Sequence, residues 1–252
     1  MPVALVTGAS AGLGVEFTRQ LSKRGYRLVL AARRKDRLDA LAAELGNARA
    51  VGIDLGAAGA VDRLMGDIAD HGETVEVLIN NAGFGIVGPV ARTDPGRLRQ
   101  LVDLNVAALT ELSRAVLPAM LERNSGAIVN VASTAAFQPC PGFAAYGASK
   151  AYVLSFTEAL HEELRGTAIK VSALCPGPTR TEFGEVAGFD NKLGAALDKL
   201  SMDAASVVRM GLDSLDRNRA IRVTGALNKV GAAATRFLPR SLLRRIAGAA
   251  KL

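Results

Sequence analysis

The sequence predicts an α/β domain on a doubly wound parallel sheet of about seven strands, with helices on both faces and a basic helical extension at the C-terminus. Three observations carry that expectation. Short apolar runs alternate with amphipathic stretches of helical length to about residue 175, the rhythm of βα units. A glycine-dotted turn, Thr7-Gly8-Ala9-Ser10-Ala11-Gly12-Leu13-Gly14, directly follows the first apolar run. The composition is 49% hydrophobic but only 4% aromatic, with no Trp, so the core is Ala, Val, Leu and Ile, as strands buried on both faces require. At 252 residues the chain fits one large domain.

The first strand is expected near residues 2–6, and the next stretch, Val15 to Arg24, has Phe17 and Leu21 on one helix face. Between them the glycines allow a tight turn and let the backbone approach a pyrophosphate, which then rests at the positive end of the helix. The spacing is Gly-x-x-x-Gly-x-Gly, not Gly-x-Gly-x-x-Gly, and an ordinary βα turn would use the same residues. The second strand, near 26–31, runs into Ala32-Arg33-Arg34. An acid there would accept from the 2′-hydroxyl of NAD; arginines suit the 2′-phosphate of NADP, so NADP(H) is favoured over NAD(H). Solvated loop charges are the alternative. Asp36 is expected to cap the next helix, which runs to about Leu45.

The third strand, near 49–53, ends at Asp54-Leu55; Asp54 is placed to accept from an adenine amino group or to cap a helix. The fourth, near 75–79, ends in Asn80-Asn81-Ala82-Gly83, small enough for close approach of a cofactor. A long helix is expected over 94–123, a fifth strand over 126–131 ending at Ser133, a helix over 145–165, a sixth strand over 169–175 and a seventh over 220–223.

Tyr146 and Lys150 are four apart, so phenol and ammonium share one helix face. A nearby cation favours phenolate and would lower an ordinary pKa of ~10. With Ser133 hydrogen-bonding the reacting oxygen, this makes a general acid/base usable near neutrality. The same spacing also serves a plain helix with a packed Tyr and an exposed Lys.

Taken together, Thr7-Gly8-x-x-x-Gly12-x-Gly14, Asn80-Asn81-Ala82-Gly83, Asn105, Ser133, Tyr146-x-x-x-Lys150 and Pro176-Gly177 resemble the motifs of the short-chain dehydrogenases/reductases, in their order and spacing. The resemblance covers residues 2 to 225 and implies a Rossmann-like catalytic domain over 1–225. It implies an NADP-dependent oxidoreductase of carbonyls and alcohols, with hydride leaving the B face of nicotinamide. Tyr146 would move the proton. Lys150 would lower its pKa and bind the nicotinamide ribose. Ser133 would hold the substrate oxygen, and Asn105 a water leading to Lys150. Gly8, Ser10, Gly12, Leu13, Gly14, Arg33, Arg34, Asp54, Leu55, Asn81, Ala82, Gly83, Pro176, Gly177, Thr179 and Thr181 would line the cofactor site. Many NADP-dependent members of the family place a basic residue just before the second turn glycine; here Ala11 stands there, so phosphate recognition would fall on Arg33 and Arg34. A homodimer or homotetramer is implied, with the long helices as contacts.

The segment 178–200 breaks the βα rhythm and carries Phe183, Val186, Phe189, Leu193 and Leu197. It is expected to be a lid, or else a packed helical connection. Substrate contacts are expected from Phe84, Phe137, Gln138, Phe143, Phe183 and Phe189, beside Ile86 and Cys140, which suggests an apolar carbonyl. His71 and His161, each on a predicted helix, and the two scattered cysteines make no metal-ligand cluster.

The net charge of +7 is uneven. Residues 217–252 hold nine Lys/Arg and no acid, leaving 22 basic residues against 24 acidic elsewhere. The tail 226–252 has apolar positions at helical spacing, including Leu227, Val230, Phe237, Leu242 and Ile246, among Arg236, Arg240, Arg244, Arg245 and Lys251. It could pack on the body or another subunit, or lie weakly on an anionic membrane, acting then on a lipid-like substrate. Nucleic acid is not expected, for want of stacking aromatics. An early first strand, unpaired Cys140 and Cys175, and no uncharged run of spanning length suggest a cytoplasmic protein. A catalytically silent NADP-binding regulator is the alternative function.

Overall fold

The computed structural model describes residues 1–249; residues 250–252, Lys251 among them, and the side chains of residues 191–193 and 249, those of Leu193 and Ala249 among them, lie outside the described residues. In chain order the elements are β1 (Val3–Thr7), α1 (Gly12–Lys23), β2 (Arg27–Ala32), α2 (Lys35–Leu45), β3 (Ala48–Gly52), α3 (Ala60–Asp70), β4 (Val75–Asn80), α4 (Pro95–Val102) and α5 (Leu109–Glu122). There follow β5 (Gly126–Val131), α6 (Ala144–Glu163), β6 (Ile169–Cys175), α7 (Phe183–Ala187), α8 (Asn191–Asp198), α9 (Ala204–Asp216), β7 (Ile221–Val223), α10 (Ala226–Ala234) and α11 (Arg240–Ala249).

The seven strands form one parallel sheet in the order β3-β2-β1-β4-β5-β6-β7. The order reverses between β1 and β4, where a crevice opens at the carboxyl ends of the strands. Apolar side chains fill both faces. Val3, Leu5, Leu78 and Ile128 pack with α3, α5 and α6. Ala4, Val6, Ile79 and Val129 pack with α1, α2 and α9.

The helix expected over 94–123 is a continuous rod in which Asp103–Ala108 is a π-helical turn between α4 and α5. That turn carries Asn105, and insertions of this kind often mark functional positions. The rod, Pro95–Glu122, is long and apolar enough by composition to cross a membrane, but Leu101, Leu109, Leu112, Val116 and Met120 are buried within the fold. Asp36 lies in the first turn of α2 and does not cap it; the cap position is Arg34, without a side-chain bond. His71 follows α3 and does not sit within it.

Segment 178–202 leaves the sheet and returns to its own base. Thr179 bridges Met202, and the Met202 N–H donates to the Pro178 carbonyl at 3.0 Å. It is a compact loop with joined ends, carrying α7 and α8 over the crevice. At the far edge α10 packs beside β7; Ala232 on α10 and Leu243 on α11 are buried, while Leu227, Val230, Phe237, Leu242 and Ile246 are exposed.

Candidate active site

The β1–α1 turn is built for close approach. Gly8 and Gly12 have φ of +64° and +55°, a region that side chains disfavour. A Cβ on Gly14 would run into the Gly8 carbonyl, so α1 sits directly on the turn, and Gly14 supports the cleft without lining it. Ala11 caps α1 with no side-chain bond, which leaves its first N–H groups for an anion. Thr7 and Asn81 fix the facing wall. The Thr7 hydroxyl donates to the Ile79 carbonyl and accepts from Asn81 and Ala82 N–H, each at 3.0 Å. The Asn81 amide donates to the Thr7 and Gly8 carbonyls at 2.9 and 3.2 Å.

At the β2 end, Arg33 is exposed, lines the cleft and has no ion-pair partner among the described residues. Arg34 is engaged. Its guanidinium donates to the Ser10 hydroxyl at 3.3 Å and to Glu182 at 2.8 Å. Arg37, one turn further along α2, donates to the same carboxylate at 2.6 Å. Asp54 lines this end beside Leu55; it accepts from Gly56 N–H at 3.0 Å in a local turn and caps no helix.

At the other end, Ser133, Tyr146 and Lys150 line the same cleft, of about 610 Å³. Ser133 ends the extension of β5 and caps the short 3₁₀ turn after it, accepting from Ala135 N–H. Tyr146 is held between rings, its centroid 4.4 Å from Phe143 and 5.3 Å from Phe183. Lys150 donates to the Val131 carbonyl at 2.7 Å, its nitrogen 5.7 Å from the Tyr146 ring centre. Burial pushes the Tyr146 phenol up to about 12, against hydrogen bonding from Ser133, and pulls Lys150 down to about 8. The lowered phenol expected from Lys150 is therefore not what the protein's own groups produce. Desolvation outweighs a cation that is itself buried and turned to a carbonyl.

Asn105 stands behind the cleft, 1% exposed. Its carboxamide accepts from Phe84 N–H at 3.1 Å and donates to the Phe84 carbonyl at 2.9 Å and to Ser149 at 3.1 Å. A Cβ on Gly83 would lie 2.9 Å from the Asn105 oxygen and 3.4 Å from the Lys150 nitrogen, so the glycine leaves those two polar groups facing across a gap.

Most residues named from the sequence meet here. Gly8, Ser10, Gly12, Leu13, Ala82, Phe84, Gln138, Phe143, Pro176, Gly177, Thr179, Thr181, Phe183 and Phe189 all line the cleft. Phe137 does not. The 3₁₀ turn after Ser133 carries it to the other side, against the cluster of Leu109, Ala132 and Val153. The sequence reading missed Glu182 and Arg37, although Arg37 stands three and four residues from Arg34 and Arg33 and so shares their side of α2.

The residues present fit a dinucleotide: a glycine cradle, an uncapped helix start, an unpaired arginine and a carboxylate at the adenosine end. Comparison with known proteins agrees. The short chain dehydrogenase family model matches residues 2–191. The NADP-dependent 3-hydroxy acid dehydrogenase of Salmonella typhi is 37% identical over 197 residues, covering 76% of this chain and 79% of that protein. A short-chain dehydrogenase from Sphingobium yanoikuyae, solved with NADPH, superposes with a TM-score of 0.82 at 33% identity, covering 94% and 93% of the two chains. A short-chain dehydrogenase/reductase from Burkholderia phymatum, solved with NAD, gives 0.82 at 26% identity and 92% of each.

Proposed function

This chain belongs to the short-chain dehydrogenase/reductase family and is an NAD(P)-dependent oxidoreductase, and from that premise we propose that it interconverts an apolar carbonyl and its alcohol with NADP(H), Tyr146 moving the proton. The observation that carries the reading is that Ser133, Tyr146 and Lys150 open onto one cleft with the glycine turn and Arg33. The nicotinamide, when bound, supplies or accepts the hydride. In reduction the Ser133 hydroxyl holds the carbonyl oxygen and the phenol gives it a proton. Lys150 holds the ribose side, and the polar gap at Gly83 links it to Asn105 for return of the proton. The intact set makes a silent regulator the weaker reading. Arg33 and Ser10 support NADP(H) over NAD(H), and the rings of Phe84, Phe143, Phe183 and Phe189 support an apolar substrate. We read 1–225 as the catalytic domain, 178–200 as its lid and 226–252 as an extension. Two free cysteines support a cytoplasmic setting. The test is NADPH oxidation over a panel of carbonyls, with Tyr146→Phe as blank. Turnover by Tyr146→Phe comparable to wild type would end the assignment of that residue.

Two assemblies accompany this reading. Val102, Leu121 and Tyr152 are 45%, 50% and 40% exposed on the α4–α5 rod and α6, which supports a homodimer or homotetramer through those helices; light scattering of the purified protein tests it, a monomer at micromolar concentration being the contrary result. On the tail, Leu227, Val230 and Phe237 are 74%, 66% and 86% exposed beside Arg236, Arg240, Arg244 and Arg245. This supports peripheral contact with anionic lipid and a lipid-like substrate. Co-sedimentation with anionic vesicles should drop for Leu227→Ser/Phe237→Ser, and equal sedimentation would reject it.

A further inference from the structure

Glu182 stands at the start of the roof segment, 148 residues from Arg34 along the chain, yet its two oxygens are taken by Arg34 at 2.8 Å and Arg37 at 2.6 Å. Arg34 also reaches Ser10, so one guanidinium joins the β1–α1 turn, the end of β2 and the roof. Next to this contact Thr181 lies on Gly12, whose Cβ would come within 3.0 Å of it. On the opposite side the roof is held differently, by Phe183 and Phe189 against Phe143 and by the Val87 N–H to the Ala187 carbonyl at 2.9 Å. The roof thus has an ionic strap over the adenosine end and an aromatic seat over the catalytic end. Hydrogen bonds from both arginines hold the Glu182 carboxyl below its usual range, so the strap is charged at neutral pH.

We propose that Glu182 tunes the choice of cofactor: its carboxylate fastens the roof to Arg34 and Arg37, and a 2′-phosphate entering beside the unpaired Arg33 must compete with it for Arg34. This rests on the NADP(H) reading above. The guanidiniums of Arg34 and Arg37 meet on Glu182, with Arg33 lining the same end of the cleft, and Glu182 cancels part of their field where a phosphate dianion would sit. A nucleotide without the 2′-phosphate has no charge to contest the strap. Glu182 therefore weakens NADP(H) selectively, and in the nucleotide-free protein it holds the roof to the body. Arg34, Arg37 and Glu182 have side chains 41%, 46% and 42% exposed, so solvent screens the effect, and it shrinks at high salt.

The test is direct titration of NADPH and NADH by nicotinamide fluorescence, on wild type, Glu182→Gln and Arg33→Ala, with limited proteolysis of the nucleotide-free proteins beside it. Glu182→Gln should tighten NADPH by about three- to tenfold at low ionic strength and change NADH by less than about twofold. It should also speed cleavage within 178–202. Arg33→Ala should weaken NADPH about tenfold or more and spare NADH. If Arg33→Ala lowers NADPH selectively but Glu182→Gln shifts both nucleotides alike, or weakens NADPH, the strap is refuted and the NADP(H) reading stands. If Arg33→Ala leaves the ratio of the two affinities unchanged, the NADP(H) reading fails and the strap fails with it.

Discussion

Tyr146 can be followed directly by its own absorbance. The chain has three tyrosines and no tryptophan, so near-ultraviolet tyrosinate absorbance is uncluttered, and wild type minus Tyr146→Phe isolates one phenol. Burial raises that phenol from 10.0 to about 12. Two pKa units correspond to on the order of 3 kcal/mol against the phenolate. The protein without nucleotide should therefore give no Tyr146-dependent tyrosinate below about pH 11. Tyr26, also raised by burial, is present in both proteins and cancels. The stability linkage has a definite sign. A group raised in the folded state adds stability that is complete below its unfolded value near ~10 and is lost as pH rises through about 12. For reduction this is suitable as it stands, since the phenol is fully protonated at neutral pH and ready to donate. Oxidation needs the phenolate. A bound oxidised nicotinamide brings a cation into the cleft, so the same titration with NADP⁺ should move to lower pH. A Tyr146-dependent signal by about pH 9 in the protein alone would refute the argument that desolvation outweighs Lys150.

Lys150 titrates with the opposite sign: its folded value of about 8 lies below the ordinary 10.5, so the fold binds fewer protons than the unfolded chain between those values. The melting temperature of wild type should rise relative to Lys150→Met between about pH 7 and pH 10, and a constant difference would contradict the buried ammonium. Gly85→Ala would place a Cβ 2.6 Å from Phe143 Cε2 and 3.1 Å from Phe183 Cζ. The ring stacked on Tyr146 must then shift, so turnover should fall about tenfold or more while NADPH still binds; unchanged turnover would mean the aromatic seat does not position the phenol. Gly14→Ala forces α1 off the Gly8 carbonyl and should cost about 1–3 kcal/mol in thermal unfolding together with nucleotide binding; a protein that melts and binds as wild type would exclude the close packing of turn and helix.

The sheet was legible because parallel strands buried on both faces must be apolar runs, and each of the seven lies within a residue or two of its expected place. Helix starts were less so. α1 begins at Gly12 and not at Val15, since the turn glycines continue into the helix and carry no apolar signal. The π-helical turn at Asp103–Ala108 has no period of its own. In the site, local motifs placed their residues well, because a turn or a four-residue spacing fixes geometry by itself. What the sequence hid was non-local. The pairing of Glu182 with Arg34 spans 148 residues, and nothing in either neighbourhood announces the other. Phe137 is misplaced for a related reason: it directly precedes Gln138, which lines the cleft, yet as the last residue of the 3₁₀ turn over Thr134–Phe137 it packs against Leu109, Ala132 and Val153 instead.

The glycine of Pro176-Gly177 bears on how the tail should be probed. A Cβ there would lie 2.7 Å from the Asn228 carboxamide carbon, and Asn228 is fixed by its bond to the Thr224 carbonyl at 2.9 Å. The close approach at this motif is therefore made by α10, with the cleft on the other side of the same turn. Ending the chain near Gly225 would remove Asn228 and Ala232 from the body along with the exposed apolar stripe. Loss of vesicle binding after such a cut could come from a loosened Pro176–Gly177 turn as easily as from a missing lipid contact. Leu227→Ser/Phe237→Ser changes only outward side chains, leaves Asn228 seated and keeps every cation. A drop in sedimentation with NADPH affinity intact would then belong to the outer face alone.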